Sequence, residues 1–292
     1  MPGQFSLDPH AILASLGITD AVQAEPVLGG ADTALWRVSW QGESFALRVF
    51  RPEQAAVCER EVAVMQAASA SGIPVPAVIR QGQWEDRPAL LLSWIAGKPL
   101  GEQLLAHPYL IWRLGKAFGR TQAAIHEIAP PPGLSAIHWI EWAGDEPELK
   151  ARLYDLSSLK TALLHLDYHP LNLMVQRGQI SGVLDWANAR AGDPRADFAR
   201  TYSILRVEPY APDGDSLRLA VARWLLERAW RTGYQQAGGQ LDDMALFYAW
   251  AGAVMIRDLS PRIDKPDFWL QAHHLDSVRV WRDTWMRRAG IA

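Results

Sequence analysis

The segment between residues 165 and 185 constrains the fold more than any other part of the chain. It reads His165-Leu166-Asp167-Tyr168-His169-Pro170-Leu171-Asn172, then two short apolar runs, then Asp185-Trp186. The apolar residues before it predict a buried strand that ends beside Asp167. The two later runs flank Gln176-Arg177-Gly178-Gln179, in which glycine can supply the left-handed position of a tight turn. The sequence therefore predicts a strand, a loop and a β-hairpin in succession.

A hairpin brings the residues at its two ends together. Asn172 precedes its first strand and Asp185 follows its second, so the two side chains are expected to come close in space. An amide oxygen and a carboxylate suit a hard cation. The spacing H-x-D-x-x-x-x-N with a later aspartate is also the arrangement that phosphoryl transfer from a nucleotide requires. It predicts Asp167 as the base that accepts a hydroxyl proton, and Asn172 and Asp185 as ligands of Mg²⁺.

A zinc site is the rival interpretation of the same segment. His165, Asp167 and His169 alternate, so on one strand they would point to one side and could bind zinc. Pro170 favours a loop at this point, and zinc would leave Asn172 and Asp185 without a role. A zinc-dependent hydrolase is therefore the weaker alternative.

Composition excludes several other classes. The chain has 292 residues, enough for a large domain or two lobes, and its net charge of −3 offers no basic surface for nucleic acid. Cys58 is the only cysteine, which fits a reducing compartment. No signal peptide and no apolar stretch of membrane-spanning length is evident. A cytoplasmic protein without membrane or nucleic-acid partners is expected.

The N-terminal third predicts an antiparallel sheet. Residues 34–40 and 44–50 alternate around a turn at residues 41–43, and strands are also expected at 77–83 and 88–94. A helix is expected from Pro52 to about Ala70. Before the first hairpin, the turn at residues 28–33 contains Gly29 and Gly30, which can lie close to phosphates. We therefore expect a five-stranded antiparallel lobe with one helix, over residues 1–95.

A buried charge in that helix indicates a nucleotide-binding site. Glu61 falls within the apolar stripe, where a carboxylate is costly unless it is paired, and Arg48 on the preceding strand is the natural partner. In kinases such a pair positions a basic residue on the α- and β-phosphates. The alternative is a purely structural link between strand and helix. Ala46 shares a strand face with Arg48 and leaves room for a flat base. From chain order, the backbone of Ser93, Trp94 and Ile95 is expected to bond an adenine edge.

Residues 96–292 predict a mostly helical second lobe. Helices are expected at 109–127, 147–158, 217–236, 241–259 and 268–288. Asp193-Pro194 predicts an N-cap that opens another helix, which assigns structural roles to Asp193 and Asp197. The loop at 137–148 is both aromatic and acidic, which suits a cationic acceptor. A solvated surface with packed rings is the slightly favoured alternative for this loop.

The motifs together resemble the aminoglycoside phosphotransferase/choline kinase family of small-molecule kinases. The resemblance rests on Gly29-Gly30, Ala46-Leu47-Arg48, Arg60-Glu61, Gly72-Ile73-Pro74-Val75-Pro76, Leu114-Gly115 through Ile125-His126, His165-Leu166-Asp167 through Asn172, Leu184-Asp185-Trp186, and Gly192-Asp193-Pro194 through Asp197. Trp186-Ala187 stands where a protein kinase has Phe-Gly, which favours a small-molecule kinase.

The resemblance implies a bilobal, protein kinase-like α+β fold, with ATP or GTP as co-substrate, Mg²⁺, and Asp167 as the base. Its acceptor would be a small molecule that carries a hydroxyl group, such as an aminoglycoside, a macrolide, choline or homoserine, and the protein would be a monomer or homodimer. Arginine at position 48, where lysine is usual, leaves one alternative open: a nucleotide-binding module with little turnover.

Overall fold

The computed structural model describes residues 7–20, 22–27, 33–156, 161–209, 216–263, 265 and 269–291. The chain divides into two compact units. The first unit comprises residues 1–96 together with 181–187, and the second comprises residues 97–180 and 188–292.

The first unit is built on an antiparallel five-stranded sheet. Its strands are β1 (Gln23–Pro26), β2 (Ala34–Trp40), β3 (Glu43–Val49), β4 (Val78–Trp84) and β5 (Arg87–Ser93), in the order β1-β2-β3-β5-β4. β2, β3 and β5 are the inner strands, and each pairs with two neighbours. The predicted antiparallel sheet is confirmed.

The side chains on the two faces of β3 lie in different surroundings. Phe45, Leu47 and Val49 are buried in an apolar core, which also receives Ile12 and Leu13 from a short helix, α1 (Pro9–Ser15). Because side chains alternate along a strand, the residues between them point to the opposite face. Arg48 therefore lies on the face away from that core.

A second helix, α2 (Ala55–Ala70), follows a 3₁₀ turn at Pro52–Gln54. The proline fits this first turn because its missing N–H would be unpaired there in any case. The helix buries Val64, Met65 and Ala68, and the buried stripe includes Glu61, as the sequence predicts.

The second unit is mostly helical. Its helices are α3 (Leu100–Ala106), α4 (Ile111–Ile125), α5 (Pro147–Leu156), α6 (Pro194–Val207), α7 (Leu217–Gln236), α8 (Ala245–Leu259) and α9 (Asp276–Arg288). No described helix is both long and apolar enough to cross a membrane. The predicted α+β class is confirmed.

Glycines let α4 and α7 approach closely. A Cβ placed on Gly119 would lie 1.9 Å from the Trp230 carbonyl oxygen, and one on Gly233 would lie 2.1 Å from that of Lys116. No side chain fits at these two positions unless the helices separate. Phe118 and Phe198 also pack against Trp230, so this helix pair forms much of the core of the second unit.

Short strands flank the predicted polar residues. β7 (Ala162–Leu164) is fully buried and pairs with β10 (Arg190–Gly192), and β6 (Lys98–Pro99) pairs with β8 (Leu173–Gln176). After β8 the chain turns through Arg177 and Gly178, which both have positive φ, into β9 (Gln179–Val183), the third strand of that sheet. The predicted turn is therefore confirmed.

Candidate active site

Asp167 lies in a loop that begins immediately after β7. Its carboxylate is partly exposed, at 26%, whereas Leu163 and Leu164 before it are buried. Asn172 donates from Nδ2 to the Asp167 main-chain oxygen at 3.0 Å and to Oδ2 at 3.3 Å. The loop thus presents one accessible carboxylate on a buried support, as a general base requires.

Helix α6 holds this loop on both sides of Asp167. The Leu166 amide donates to Asp197 Oδ1, and Thr201 Oγ1 donates to the Tyr168 carbonyl oxygen at 2.8 Å. Leu166 has a φ of 61°, which is strained for a leucine and persists only where neighbours fix it. These bonds to α6 supply that constraint.

Asp197 is the centre of a buried network. Its Oδ2 lies 2.8 Å from His126 Nε2 and accepts from Gln122 Nε2 at 3.1 Å. Burial raises the pKa of the Asp197 carboxyl, but the hydrogen bond and charge of His126 outweigh this and hold the pKa below its ordinary value. Sequence reasoning assigned Asp197 a structural role without showing that it supports the loop of Asp167.

The zinc alternative gains no support from the geometry. His165 is fully buried, and its Nδ1 lies 3.3 Å from the Asp167 amide. His169 Nε2 lies 3.6 Å from Asp167 Oδ1. Among the residues that the structure describes, no three His, Cys, Asp or Glu side chains are grouped to hold a metal.

The first unit contains a second cluster, centred on Arg48. Its Nη1 lies 2.5 Å from Glu61 Oε1, its Nη2 lies 3.5 Å from Asp185 Oδ1, and its Nε donates to Thr33 Oγ1 at 3.0 Å. The ion pair between Arg48 and Glu61 predicted from the sequence is therefore present. Burial raises the pKa of Glu61, and the Arg48 charge opposes that rise. A guanidinium fork can reach three partners at once, which an ammonium group cannot.

Replacing Arg48 with lysine is expected to weaken AMP-PNP binding about fivefold. The variant keeps the charge opposite Glu61 but loses the bond to Thr33, the last residue of the segment in which the sequence predicts a glycine-containing turn. One such bond contributes about 1 kcal/mol. Titration calorimetry measures the change, with Arg80→Lys on an exposed part of β4 as the matched control. Equal affinities for both variants would show that the fork has no role in nucleotide binding.

The second predicted magnesium ligand also lies in this cluster. Asp185 is 47% exposed and has a φ of 60°, in the left-handed region. Asn172 belongs to the second unit and Asp185 to the first, so the predicted closeness of the two stays a prediction.

The sheet occupies two of the backbone groups in the segment that is predicted to contact adenine. The Ser93 amide donates to the Ala77 carbonyl oxygen at 2.8 Å, and the Trp94 amide donates to the Ser44 carbonyl oxygen at 3.3 Å. Because the sheet uses both N–H groups, only the carbonyl oxygens of this segment and the Ile95 amide remain candidates. Ala46 is partly buried on the same face of β3 as Arg48. Gly29 and Gly30 lie outside the described residues.

The tryptophans of the aromatic and acidic loop at 137–148 do not surround a site for a cationic acceptor. Trp139 and Trp250 are fully buried and pack edge to face, 5.0 Å apart. Trp142 is contacted by the guanidinium groups of Arg190 and Arg257, at 5.1 and 4.8 Å from the ring centre. Two acids of the loop are paired as well, Glu141 with Lys150 and Glu146 with Arg282. The geometry favours the interpretation of packed rings beneath a solvated surface.

A cavity of about 360 Å³ occurs elsewhere in the second unit. Its lining includes His126, Asp193, Arg195, Tyr234 and Asp242, and no residue of the loop at 165–172. Arg195 is held by Asp193 at 2.7 Å. This cavity is therefore not an acceptor pocket beside Asp167.

Three solved structures with a similar fold are kinases. An amicoumacin kinase, hAmiN, in complex with AMP-PNP, Ca²⁺ and Ami has a TM-score of 0.64 and 17% identity, covering 91% of this chain and 88% of its own. A thermostable mutant of the aminoglycoside phosphotransferase APH(4)-Ia with AMP-PNP and hygromycin B has a TM-score of 0.66 and 13% identity, covering 95% and 96%. The aminoglycoside phosphotransferase APH(3'')-Id from Streptomyces rimosus has a TM-score of 0.58 and 20% identity, covering 84% and 95%. The fold is that of the protein kinase-like small-molecule kinases.

Sequence similarity identifies the family. Residues 23–160 and 145–239 match APH, the phosphotransferase enzyme family. The chain belongs to this family, which confirms the predicted resemblance and the predicted enzyme class, a small-molecule kinase. No curated protein matches the sequence.

Proposed function

We propose that the protein transfers the γ-phosphoryl group of ATP, or GTP, to a hydroxyl group of a small molecule, with Asp167 as the general base. The observation that carries this proposal is the partly exposed Asp167 carboxylate, fixed between the bonds of α6 to Leu166 and Tyr168, in a chain of the phosphotransferase family. Asp167 Oδ1 or Oδ2 accepts the hydroxyl proton as the oxygen attacks phosphorus.

Nucleotide binding is assigned to the first unit. We assign the phosphate contacts to Arg48, oriented by Glu61, and to Gly29 and Gly30. Ala46 leaves space for the base, whose edge meets the carbonyl oxygens of Ser93 and Trp94 and the Ile95 amide. The complexes of hAmiN and APH(4)-Ia with AMP-PNP support a nucleoside triphosphate as co-substrate.

Magnesium is assigned to Asn172 and Asp185. Their donors are an amide oxygen and a carboxylate, which fits a hard cation that keeps water and phosphate oxygens as its other ligands. When bound, the ion neutralises charge on the phosphates. Ca²⁺ in the hAmiN complex supports a divalent cation in this fold.

The acceptor is proposed to be an aminoglycoside-, macrolide-, choline- or homoserine-like hydroxyl compound. The APH(4)-Ia complex contains hygromycin B and the hAmiN complex contains Ami, which supports a small-molecule acceptor. A quaternary amine is the least favoured of these, because neither Trp139 nor Trp250 is exposed to cover its charge. The protein is proposed to be cytoplasmic and to act as a monomer or homodimer.

Acceptor-dependent ADP release tests the proposed function. A thermal-shift screen in the presence of AMP-PNP and Mg²⁺ first selects acceptors from a panel of amino alcohols, sugars and antibiotics. ATP turnover is then measured with each selected compound, and we expect ADP release that requires both the acceptor and Asp167. Tight ATP binding without turnover would favour the alternative of a nucleotide-binding module. Stoichiometric zinc that is lost on His169→Ala would favour the hydrolase.

A further inference from the structure

The segment that carries Asp185 belongs to the first unit. The Val183 amide donates to the Pro74 carbonyl oxygen at 2.8 Å, and Ser181 Oγ donates to the Ala96 carbonyl oxygen at 2.7 Å. Both contacts precede Asp185 in the chain. The segment is also held on its other side, by a hydrogen bond from the Trp186 backbone to the Glu61 carboxylate and by a contact with Arg60.

Arg60 makes the second of these two contacts. Its Nη2 donates to the Ala187 carbonyl oxygen at 3.0 Å, so helix α2 binds the segment two residues after Asp185. The neighbouring Glu61 binds Arg48, and Arg48 reaches Asp185 itself. Two consecutive residues of one helix thus act on this segment. Arg60 binds its backbone at Ala187, whereas Glu61 accepts from its backbone at Trp186 and reaches the Asp185 carboxylate through Arg48.

The burial of Arg60 is unfavourable by itself. Its side chain is partly buried, its Nε is enclosed without a hydrogen-bond partner, and burial lowers the pKa of the guanidinium. An apolar side chain would pack at this position without desolvating a charge. The bond to Ala187 is the favourable contact that opposes this burial.

Asp185 needs support on both sides. Its φ is 60°, a conformation that costs a non-glycine residue about 1 kcal/mol or more. Such a conformation persists only where the surrounding structure fixes it. Trp186 is fully buried and donates from Nε1 to the Val183 carbonyl oxygen at 3.1 Å. Arg60 adds the constraint that follows Trp186.

We propose that Arg60 is a positioning residue, which holds the Asp185 carboxylate in its metal-binding orientation by fixing the Ala187 carbonyl group. The inference rests on the proposed function, in which Asp185 binds Mg²⁺. A hydrogen bond that orients a metal ligand typically contributes 10–100-fold to metal affinity.

Arg60→Met tests this inference, with Arg60→Lys as the conservative variant and Arg80→Met as the matched control on an exposed site of the same unit. In metal-free protein, we expect Arg60→Met to speed amide hydrogen exchange in peptides covering residues 184–190 while the strands of the sheet stay protected. The Mg²⁺ concentration for half-maximal binding of AMP-PNP is expected to rise about tenfold. Arg60→Lys is expected to recover part of both effects, because its ammonium group can still donate to the carbonyl oxygen.

Several outcomes would overturn the inference. Exchange equal to that of wild type, or a Mg²⁺ dependence equal to that of Arg80→Met, would show that Arg60 does not act through Asp185. Lower thermal stability of Arg60→Met with an unchanged Mg²⁺ dependence would show that Arg60 only stabilises the fold. If the wild-type protein binds AMP-PNP without any Mg²⁺ dependence, the proposed function itself fails, and this is measured before any variant is made.

Discussion

Replacing Asp167 with asparagine is expected to lower kcat for phosphoryl transfer by about 10³-fold, within the range for loss of a general base. Asparagine has the same shape, and its amide cannot accept the hydroxyl proton. The fold should survive, because the carboxylate is partly exposed and the neighbouring backbone is held by Asp197 and Thr201. ADP release with the best acceptor of the panel measures the loss, and thermal unfolding confirms that the variant is folded.

Two comparisons separate a lost base from a damaged protein. AMP-PNP binding to Asp167→Asn should match wild type, since the proposed nucleotide contacts lie in the first unit. Asp155→Asn makes the same chemical change at an exposed site of α5 and should leave kcat unaltered. His169, 3.6 Å from Asp167, is the rival base, and a larger loss of kcat in His169→Ala than in Asp167→Asn would transfer the role to it.

The fold was predictable wherever periodicity was strong. Helix α7 has the predicted bounds, Leu217–Gln236, and β2 the predicted bounds Ala34–Trp40. Turn chemistry caused two errors. Asp243 has a φ of 53°, which stops a helix from starting at Leu241, and a 3₁₀ turn at Ala272–Leu275 delays α9 to Asp276. Local backbone geometry of this kind leaves no periodic signal in the sequence.

Contacts within the candidate site differed in how far the sequence could predict them. The pairing of Arg48 with Glu61 followed from burial, because a carboxylate in an apolar stripe requires a nearby cation. The bond between His126 and Asp197 joins residues 71 positions apart and depends on how α4 and α6 pack. Arg60 gave a weaker signal still, since its partner is a main-chain carbonyl group that could belong to any residue.

Replacing Asp185 with asparagine is expected to raise the Mg²⁺ concentration for half-maximal AMP-PNP binding at least ~100-fold. Removal of a group that only orients a metal ligand lowers metal affinity by at most about 100-fold, and loss of a ligand itself should have at least that effect. Asparagine tolerates the left-handed φ of 60° at this position, so the variant removes the charge without adding backbone strain. Asp185→Ala removes all oxygen donors and is expected to abolish the Mg²⁺ dependence. Calorimetric titrations of AMP-PNP at several Mg²⁺ concentrations measure both variants.

Stability provides the control for this experiment. The contact of Asp185 with Arg48 is long, at 3.5 Å, and nearly half of the Asp185 side chain is exposed, so its loss should change the free energy of unfolding by less than ~1 kcal/mol. The ion pair between Arg48 and Glu61 is retained in both variants. A large loss of stability in Asp185→Asn would therefore indicate a structural role for the carboxylate. A Mg²⁺ dependence equal to that of wild type in Asp185→Ala would remove Asp185 from the metal site, and Asn172 alone would be too weak a ligand to keep the assignment.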